Sequence, residues 1–348
     1  MKKILITGCG GLIGLESTYF FLDKGFEVLG VDNNMRSYFF GDDGSVKNNL
    51  NTLSNFKNFK LYKIDIRNYE DLEKIFNEYS SDIDCIIHTA AQPSHDWAAK
   101  EPFTDFHINT TATLNLLELT KKHCPEATFI FTSTNKVYGD NPNYLPLIEL
   151  ETRYELEKSH EYYQGIPENF SVDQTKHSLF GCSKLSADVY VQEYGKYFNL
   201  KTTIFRGGCL TGSKHRGAEL HGFLNYLVKC NIEGRTYNLY GYKGKQVRDN
   251  IHSMDLVSAF YEVYKNPKIG EVYNIGGSRY SNCSIIEAIS LIEKITDKKM
   301  KLNYINENRI GDHIWWISNT SKFKRDYPDW KQDYSIEKIL NNIIQIYG

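Results

Sequence analysis

Gly8-Cys9-Gly10-Gly11-Leu12-Ile13-Gly14 follows the apolar run Ile4-Leu5-Ile6 near the N-terminus. A strand, a glycine turn and a helix start, in that order, are what a dinucleotide pyrophosphate requires. Gly8 permits the tight turn, Gly11 lets backbone approach phosphate, and Gly14 lets helix and sheet pack closely. The helix start at Leu12 and Ile13 offers unpaired N–H groups and a positive dipole end to an anion. Asp32, with Asn33 beside it, lies eighteen residues past Gly14 and ends a second apolar run, Val28-Leu29-Gly30-Val31. A carboxylate there accepts from both ribose hydroxyls and repels a 2′-phosphate, which favours NAD over NADP. The competing explanation is a glycine-rich turn in some other α/β protein.

Bulk composition narrows the field. The 348 residues suggest about two domains at roughly 150 residues each. Lys+Arg 41 against Asp+Glu 43 leaves a net charge of −2, so no strong field favours nucleic acid or an acidic membrane. Lys121-Lys122 reads as a solvated helix end. The seven cysteines show neither a CxxC pair nor zinc spacing, so reduced thiols, a cytoplasmic location and no metal are expected. The apolar run at the N-terminus breaks at Gly8 too early for a signal sequence, and no stretch reaches the roughly 18 apolar residues of a membrane span.

Short apolar runs alternate with helical patterns. Strands are expected at 3–7, 27–31, 59–64, 84–88, 127–132 and 201–205. Helices are expected at 12–24, 69–79, 104–123 and 179–198. This alternation predicts a Rossmann-type doubly wound parallel sheet, covered on both faces. Leu114, Leu117 and Leu119 in one long helix, and Leu185, Val189 and Val191 in another, are candidates to bury a stripe against the sheet or a second subunit. Beyond Arg206 the texture turns to Gly and polar residues and then smaller mixed pieces: helices at 218–233, 253–265, 283–296 and 334–346, and strands at 236–240, 245–251 and 271–275. We therefore divide the chain into a dinucleotide-binding domain, 1–206, and a smaller C-terminal α/β substrate-binding lobe, 207–348, with room for the chain to cross back. Two long loops, 33–57 and 139–177, are functional candidates.

In such a fold ligands bind at the carboxyl ends of the strands. After the third strand comes Asp65-Ile66, where a carboxylate can reach adenine. After the fourth comes His88-Thr89-Ala90-Ala91-Gln92, whose small residues let backbone lie close to a cofactor. After the fifth comes Ser133-Thr134-Asn135-Lys136-Val137-Tyr138-Gly139-Asp140, with hydroxyls placed to hydrogen-bond a substrate oxygen. Phe180-Gly181-Cys182-Ser183-Lys184 then opens a helix, Lys184 one turn after Phe180 on the same face.

Together these pieces resemble the extended short-chain dehydrogenase/reductase family over essentially the whole chain. The matching residues are Thr7-Gly8-x-x-Gly11-x-x-Gly14, Asp32, Asp65-Ile66, Asn109, Thr134 with Val137-Tyr138-Gly139, and Lys184. Lys245-Gln246-Val247-Arg248-Asp249-x-x-His252-x-x-Asp255 is similar to the family's nucleotide-sugar segment. The strand-five stretch, with Glu151-Thr152-Arg153-Tyr154 and His177-Ser178, looks most like the CDP-tyvelose (CDP-paratose) 2-epimerases within it.

The resemblance implies an NAD-dependent nucleotide-sugar epimerase acting by transient oxidation. Its NAD contacts would be Gly8, Gly11, Leu12, Ile13, Asp32, Asn33, Asp65, Ile66, Ala90, Ala91, Asn109 and Lys184. Its substrate, a nucleotide-diphosphate sugar, would meet Gln92, Asn135, Arg206, Arg248 and Arg309, the last two at the diphosphate. Thr134 and Lys184 would serve catalysis, and family members commonly pair two helices per subunit into a homodimer or higher oligomer. A 4,6-dehydratase is the rival, but such enzymes usually carry Asp-Glu where this chain has Asn135-Lys136. One departure stands out. The family motif is Tyr-x-x-x-Lys, and this chain has Phe180, which holds no exchangeable proton. The substitution marks an inactivated enzyme, a substitute base or a non-catalytic binding module. His95 and His177 are candidate bases, each with a plain structural alternative. Cys182 and Cys209 read as small packing residues, and Trp315-Trp316 as base-stacking or packing residues.

Overall fold

The computed structural model describes residues 2–214, 222–308 and 311–347. In chain order it runs β1 (Lys3–Thr7), α1 (Leu12–Asp23), β2 (Glu27–Val31), α2 (Arg36–Phe40), α3 (Lys47–Leu53), β3 (Phe59–Tyr62), α4 (Tyr69–Tyr79), β4 (Ile83–His88), α5 (His95–Lys100), α6 (Pro102–Phe106), α7 (Ala112–His123), β5 (Thr128–Thr134), β6 (Leu147–Glu149), β7 (Tyr154–Leu156) and α8 (Leu179–Phe198). Then follow β8 (Lys201–Gly207), β9 (Cys209–Thr211), α9 (Phe223–Glu233), β10 (Thr236–Tyr240), β11 (Val247–His252), α10 (Ser253–Lys265), β12 (Glu271–Ile275), β13 (Asn282–Ser284), α11 (Ile285–Thr296), β14 (Lys301–Ile305), β15 (Trp315–Trp316), α12 (Ser321–Asp326) and α13 (Ile336–Tyr347).

Seven strands form one sheet in the order β12-β8-β5-β4-β1-β2-β3. The pairs β1–β2, β1–β4, β2–β3 and β4–β5 are parallel. Strand order reverses between β1 and β4, and a crevice opens at the carboxyl ends of such a reversal. The Rossmann-type fold expected from the alternation is the fold observed. Strands β1, β2 and β4 bury nearly every residue, as a sheet covered on both faces demands.

By contact the chain divides into two compact units. One comprises Met1–Val137, Leu179–Arg206 and Val257–Tyr273, the other Tyr138–Ser178, Gly207–Leu256 and Asn274–Gly348. In the first, Leu116, Leu117 and Leu119 of α7 and Val191 of α8 join Ile86, Phe129 and Ile204 in one apolar core. Val189 is exposed instead, because two residues along a helix turn a side chain away from the buried stripe. The second unit has its own core, built from α9, α11 and α13 around Leu227, Ile289 and Leu340.

Both predicted loops carry structure. Residues 33–57 contain α2 and α3, and Asn49 of α3 donates to the Gly10 carbonyl at 2.9 Å, which pins this segment to the glycine turn. Residues 139–177 contain the β6–β7 hairpin. It is fastened within the second unit by Arg153, whose Nε donates to Glu287 Oε1 at 2.8 Å. Buried Glu155 accepts from Arg279 Nη1 at 2.7 Å and Trp315 Nε1 at 2.9 Å. The expected helix 104–123 is broken into α6, a π-helical turn at His107–Thr111, and α7.

Candidate active site

Backbone sterics build the turn between β1 and α1. Gly8 sits at φ +70°, a region L side chains adopt only with strain, and its N–H donates to the Val31 carbonyl at 2.7 Å. A Cβ on Gly14 would lie 2.1 Å from the Gly8 carbonyl oxygen, and one on Gly8 would lie 2.8 Å from the Ala90 nitrogen. These two glycines let α1 and the end of β4 close onto the turn. A Cβ on Gly11 would meet only the Gly8 oxygen, at 3.4 Å. Leu12 and Ile13 form the first turn of α1, where N–H groups lack an intrahelical carbonyl. This is the cradle a pyrophosphate fits.

Asp32 follows β2. Its Oδ2 accepts from the Gly10 N–H at 2.9 Å and its Oδ1 from the Asn34 N–H at 2.8 Å. Burial raises its pKa against those two donors. Asn33 Nδ2 donates to Asp65 Oδ2 at 3.1 Å, and Arg67 clasps the same carboxylate through Nε and Nη2 at 3.0 and 2.7 Å. Burial pushes the Asp65 pKa up, but the Arg67 hydrogen bonds outweigh it and the net shift is downward. Asp65 thus spends its charge on Arg67, while Ile66 is buried in the core.

At the end of β4 the hydrogen bonds determine a tautomer. Thr113 Oγ1 gives its one proton to the Asn109 carbonyl at 2.7 Å. It must therefore accept from His88 Nε2, 2.9 Å away, and His88 Nδ1 accepts from Thr7 Oγ1 at 2.7 Å. Burial, aided by the charge of Lys184, pushes the His88 pKa down to about 3, so the ring is neutral. Ala90 packs beside the turn, its N–H 3.3 Å from Thr7 Oγ1, and Ala91 follows it.

A buried polar network underlies this strand end. Asn109, in the π-helical turn, accepts from the Gln92 N–H at 3.0 Å and returns a bond to the Gln92 carbonyl at 3.1 Å. Its amide also meets Asp105 Oδ1 at 3.0 Å and Ser183 Oγ at 3.1 Å. Gln92 Nε2 donates to Asp105 Oδ1 and the Ser94 carbonyl, both at 2.8 Å. Single π-helical turns recur at functional sites, and here the widened turn aims Asn109 at both β4 and α8.

Helix α8 carries Phe180, Ser183, Lys184 and Asp188, all buried. The Lys184 ammonium donates to the Thr132 carbonyl at 2.8 Å and lies 4.1 Å from the Phe131 ring centroid. Burial pushes its pKa down to about 7, against the attraction of Asp188 and Asp105. Asp188, one turn on, accepts from Ser133 Oγ at 2.6 Å and from Arg206 at 2.9 and 3.0 Å. Arg206, expected to meet substrate, thus has a fully buried carboxylate partner. Thr134 accepts from the Lys136 N–H at 3.2 Å, and its hydroxyl lies 3.4 Å from Asn135 Oδ1. The sequence reading passed over Asp105 and Asp188. The only signal for Asp188 is its spacing of four from Lys184.

In the second unit Arg248 Nη1 donates to the Val247 carbonyl at 2.9 Å, and Nη2 lies 3.6 Å from Asp312 Oδ2. Arg309 lies outside the described residues. Tyr138 is buried, donates to Asn274 Oδ1 at 2.9 Å and stacks on Trp316 at 5.4 Å between centroids. Both Trp315 and Trp316 are fully buried, so they pack. Among the described residues no helix is long and apolar enough to cross a membrane.

The family model for the NAD-dependent epimerase/dehydratase family matches residues 4–276. The chain belongs to that family. Among its relatives, a CDP-paratose 2-epimerase of Salmonella typhi is 33% identical, covering 96% of this chain and 95% of that enzyme. A UDP-glucuronate 4-epimerase of Thermodesulfobacterium geofontis is 29% identical, over 99% and 95%. Among solved structures, dTDP-glucose 4,6-dehydratase of Bacillus anthracis in complex with NAD superposes with a TM-score of 0.79 at 25% identity, over 100% of this chain and 96% of that one. UDP-glucuronic acid 4-epimerase of Bacillus cereus, in complex with UDP-glucuronic acid and NAD, gives 0.79 at 25% identity, over 99% and 98%. This epimerase/dehydratase-family protein is NAD-dependent, and its glycine cradle and Asp32 fit that cofactor.

Proposed function

We propose that the protein is an epimerase acting at C2 of a CDP-sugar. The observation that carries this reading is end-to-end similarity to a CDP-paratose 2-epimerase at 33% identity. Asn135-Lys136 after Thr134, in place of an acidic pair, also speaks against dehydration.

A carbinol C–H with no neighbouring carbonyl is too weakly acidic for direct deprotonation. When bound, NAD would supply a hydride acceptor for transient oxidation of that carbinol, with no net redox change. In this proposal the residues bind, orient and move a proton. Gly8, Gly11, Leu12 and Ile13 hold the pyrophosphate, and Asp32 with Asn33 the adenosine ribose. Asp65-Ile66 borders adenine, Ala90-Ala91 gives close approach, and Lys184 orients the nicotinamide ribose. Asn109 is a positioning residue through Gln92 and Ser183. Thr134 hydrogen-bonds the reacting oxygen, and Asn135 lies beside it. Arg248 and Arg309 grip the diphosphate by bidentate contact. Binding energy from that remote anchor keeps the sugar in reach. Gln92 and Arg206 act behind the surface, by holding Asp105 and Asp188.

The exposed Phe103 and Phe106 of α6 and Tyr190, Tyr197 and Phe198 of α8 support a homodimer through this side of the first unit. Light scattering at the mass of a monomer would refute it. A cytoplasmic location fits seven free cysteines. The activity is tested by proton NMR of CDP-paratose, with UDP- and dTDP-sugars in parallel, incubated with protein and NAD. Inversion at C2 of the CDP-sugar is expected. Inversion at C4 of a UDP-sugar, or loss of water, would overturn the assignment.

A further inference from the structure

Phe180 occupies the position where oxidation of a carbinol calls for a group that takes up the hydroxyl proton, and a phenyl ring has no site for it. The His95 ring packs against Phe180. Their centroids are 5.1 Å apart and their planes meet at 68°, an edge-to-face contact. Both residues belong to the first unit.

One buried network links the two segments. His95 opens α5 directly after Ser94, which caps that helix by accepting from the Trp97 N–H at 3.3 Å. Ser94 is held in turn by Gln92, whose Nε2 donates to the Ser94 carbonyl at 2.8 Å. Gln92 is fastened to Asp105 and Asn109. On the other side Asn109 meets Ser183 Oγ, and that hydroxyl donates to the Phe180 carbonyl at 3.1 Å. Gln92, Asp105, Asn109 and Ser183 therefore tie the backbone beside His95 to the backbone that carries Phe180. His95 is half-buried, close enough to solvent to exchange a proton.

We propose that His95 is the proton-transfer residue of this enzyme, taking over from the tyrosine that Phe180 replaces. The proposal rests on the epimerase reading above. As hydride leaves the carbinol carbon, the O–H bond breaks and its proton binds an imidazole lone pair, leaving a ketone. When hydride returns to the other face, the imidazolium gives the proton back to the oxygen. NAD, the family's cofactor, is the oxidant, and both electrons return to the sugar. Imidazole titrates near neutrality, where a group that both accepts and donates works best.

Four proteins test it: wild type, His95→Gln, Phe180→Tyr and the double variant. With the CDP-sugar and NAD, His95→Gln is expected to lower kcat by about 10²–10⁴-fold, with KM and NAD affinity little changed. Adding Phe180→Tyr to His95→Gln is expected to restore at least about tenfold of that loss, because a phenol again stands at the site. Activity of His95→Gln within about threefold of wild type overturns the proposal, and so does a loss that Phe180→Tyr leaves unrepaired. A second readout needs no turnover. In ¹⁵N-histidine NMR of the cofactor-free protein, the His95 signals are identified by their absence in His95→Gln. Phe180→Tyr should displace those signals above all others. Unmoved signals refute the contact. Turnover by Phe180→Tyr without turnover by wild type overturns the role of His95 and leaves the epimerase reading intact. Absence of turnover in all four overturns that reading, and this proposal with it.

Discussion

Replacing Lys184 with methionine should stabilise the cofactor-free protein. Lys184 is 3% exposed, and burial lowers its pKa from 10.5 to about 7. At about 1.4 kcal/mol per unit, this corresponds to a penalty of roughly 5 kcal/mol on holding the ammonium in the fold. Methionine has similar reach and no charge. Its cost is the hydrogen bond to the Thr132 carbonyl, and an acceptor left unpaired costs about 1–3 kcal/mol. Asp188 keeps its partner Arg206. The net gain is then roughly 2–4 kcal/mol, or about 4–16 °C in melting temperature for a unit of this size. The sign depends on pH. Below about 7 both folded and unfolded chains hold the lysine proton and the penalty is full. Between about 7 and 10.5 the unfolded chain holds a proton that the folded chain has released, so wild-type stability rises with pH. Melts of both proteins at pH 6 and pH 10 should therefore show a variant that is more stable at pH 6 and loses that advantage by pH 10. A Lys184→Met protein that melts below wild type at pH 6 would refute the reasoning.

Three further outcomes are expected. Gly14→Ala adds helix propensity of about 1 kcal/mol but places a Cβ 2.1 Å from backbone at Gly8, so the clash should win, with melting lowered and NAD affinity by calorimetry down at least about tenfold. The neutral His88, with its pKa near 3, should make urea stability fall as pH drops from about 6.5 toward 3, because the unfolded chain binds the proton first; His88→Gln should flatten that slope. Asp188→Asn removes the carboxylate paired with the buried Arg206 and should cost about 3–5 kcal/mol in urea unfolding.

The parts of the site that are local in sequence were readable there. The glycine turn needs Gly8 and Gly14 for steric reasons that spacing alone conveys, and Asp32 is announced by the apolar strand before it. Helices α2 and α3 were hidden because 33–57 is rich in Asn and Asp, residues that favour turns over helix interiors; what holds this segment is a long-range bond, Asn49 to Gly10. Asp105, Asp188 and Glu155 look like surface residues by type. Their burial follows from partners 13 to 160 positions away, Gln92, Ser133, Arg206 and Trp315 among them, which no window of sequence displays. The stretch Glu151-Thr152-Arg153-Tyr154, which reads as a subfamily mark, is a structural fastening through Arg153 and Glu287. The contact of His95 with Phe180 joins residues 85 apart, and the sequence supplied only the vacancy at 180 and two histidines as candidates.

Transient oxidation at a single sugar carbon is tested most directly by isotope tracing. CDP-paratose bearing deuterium at C2 is incubated with the protein and NAD in ordinary water, and the epimerised product is examined by mass spectrometry and NMR. The account predicts a product that retains the deuterium at C2, because the hydride never leaves the site. A product carrying solvent hydrogen at C2 would contradict it.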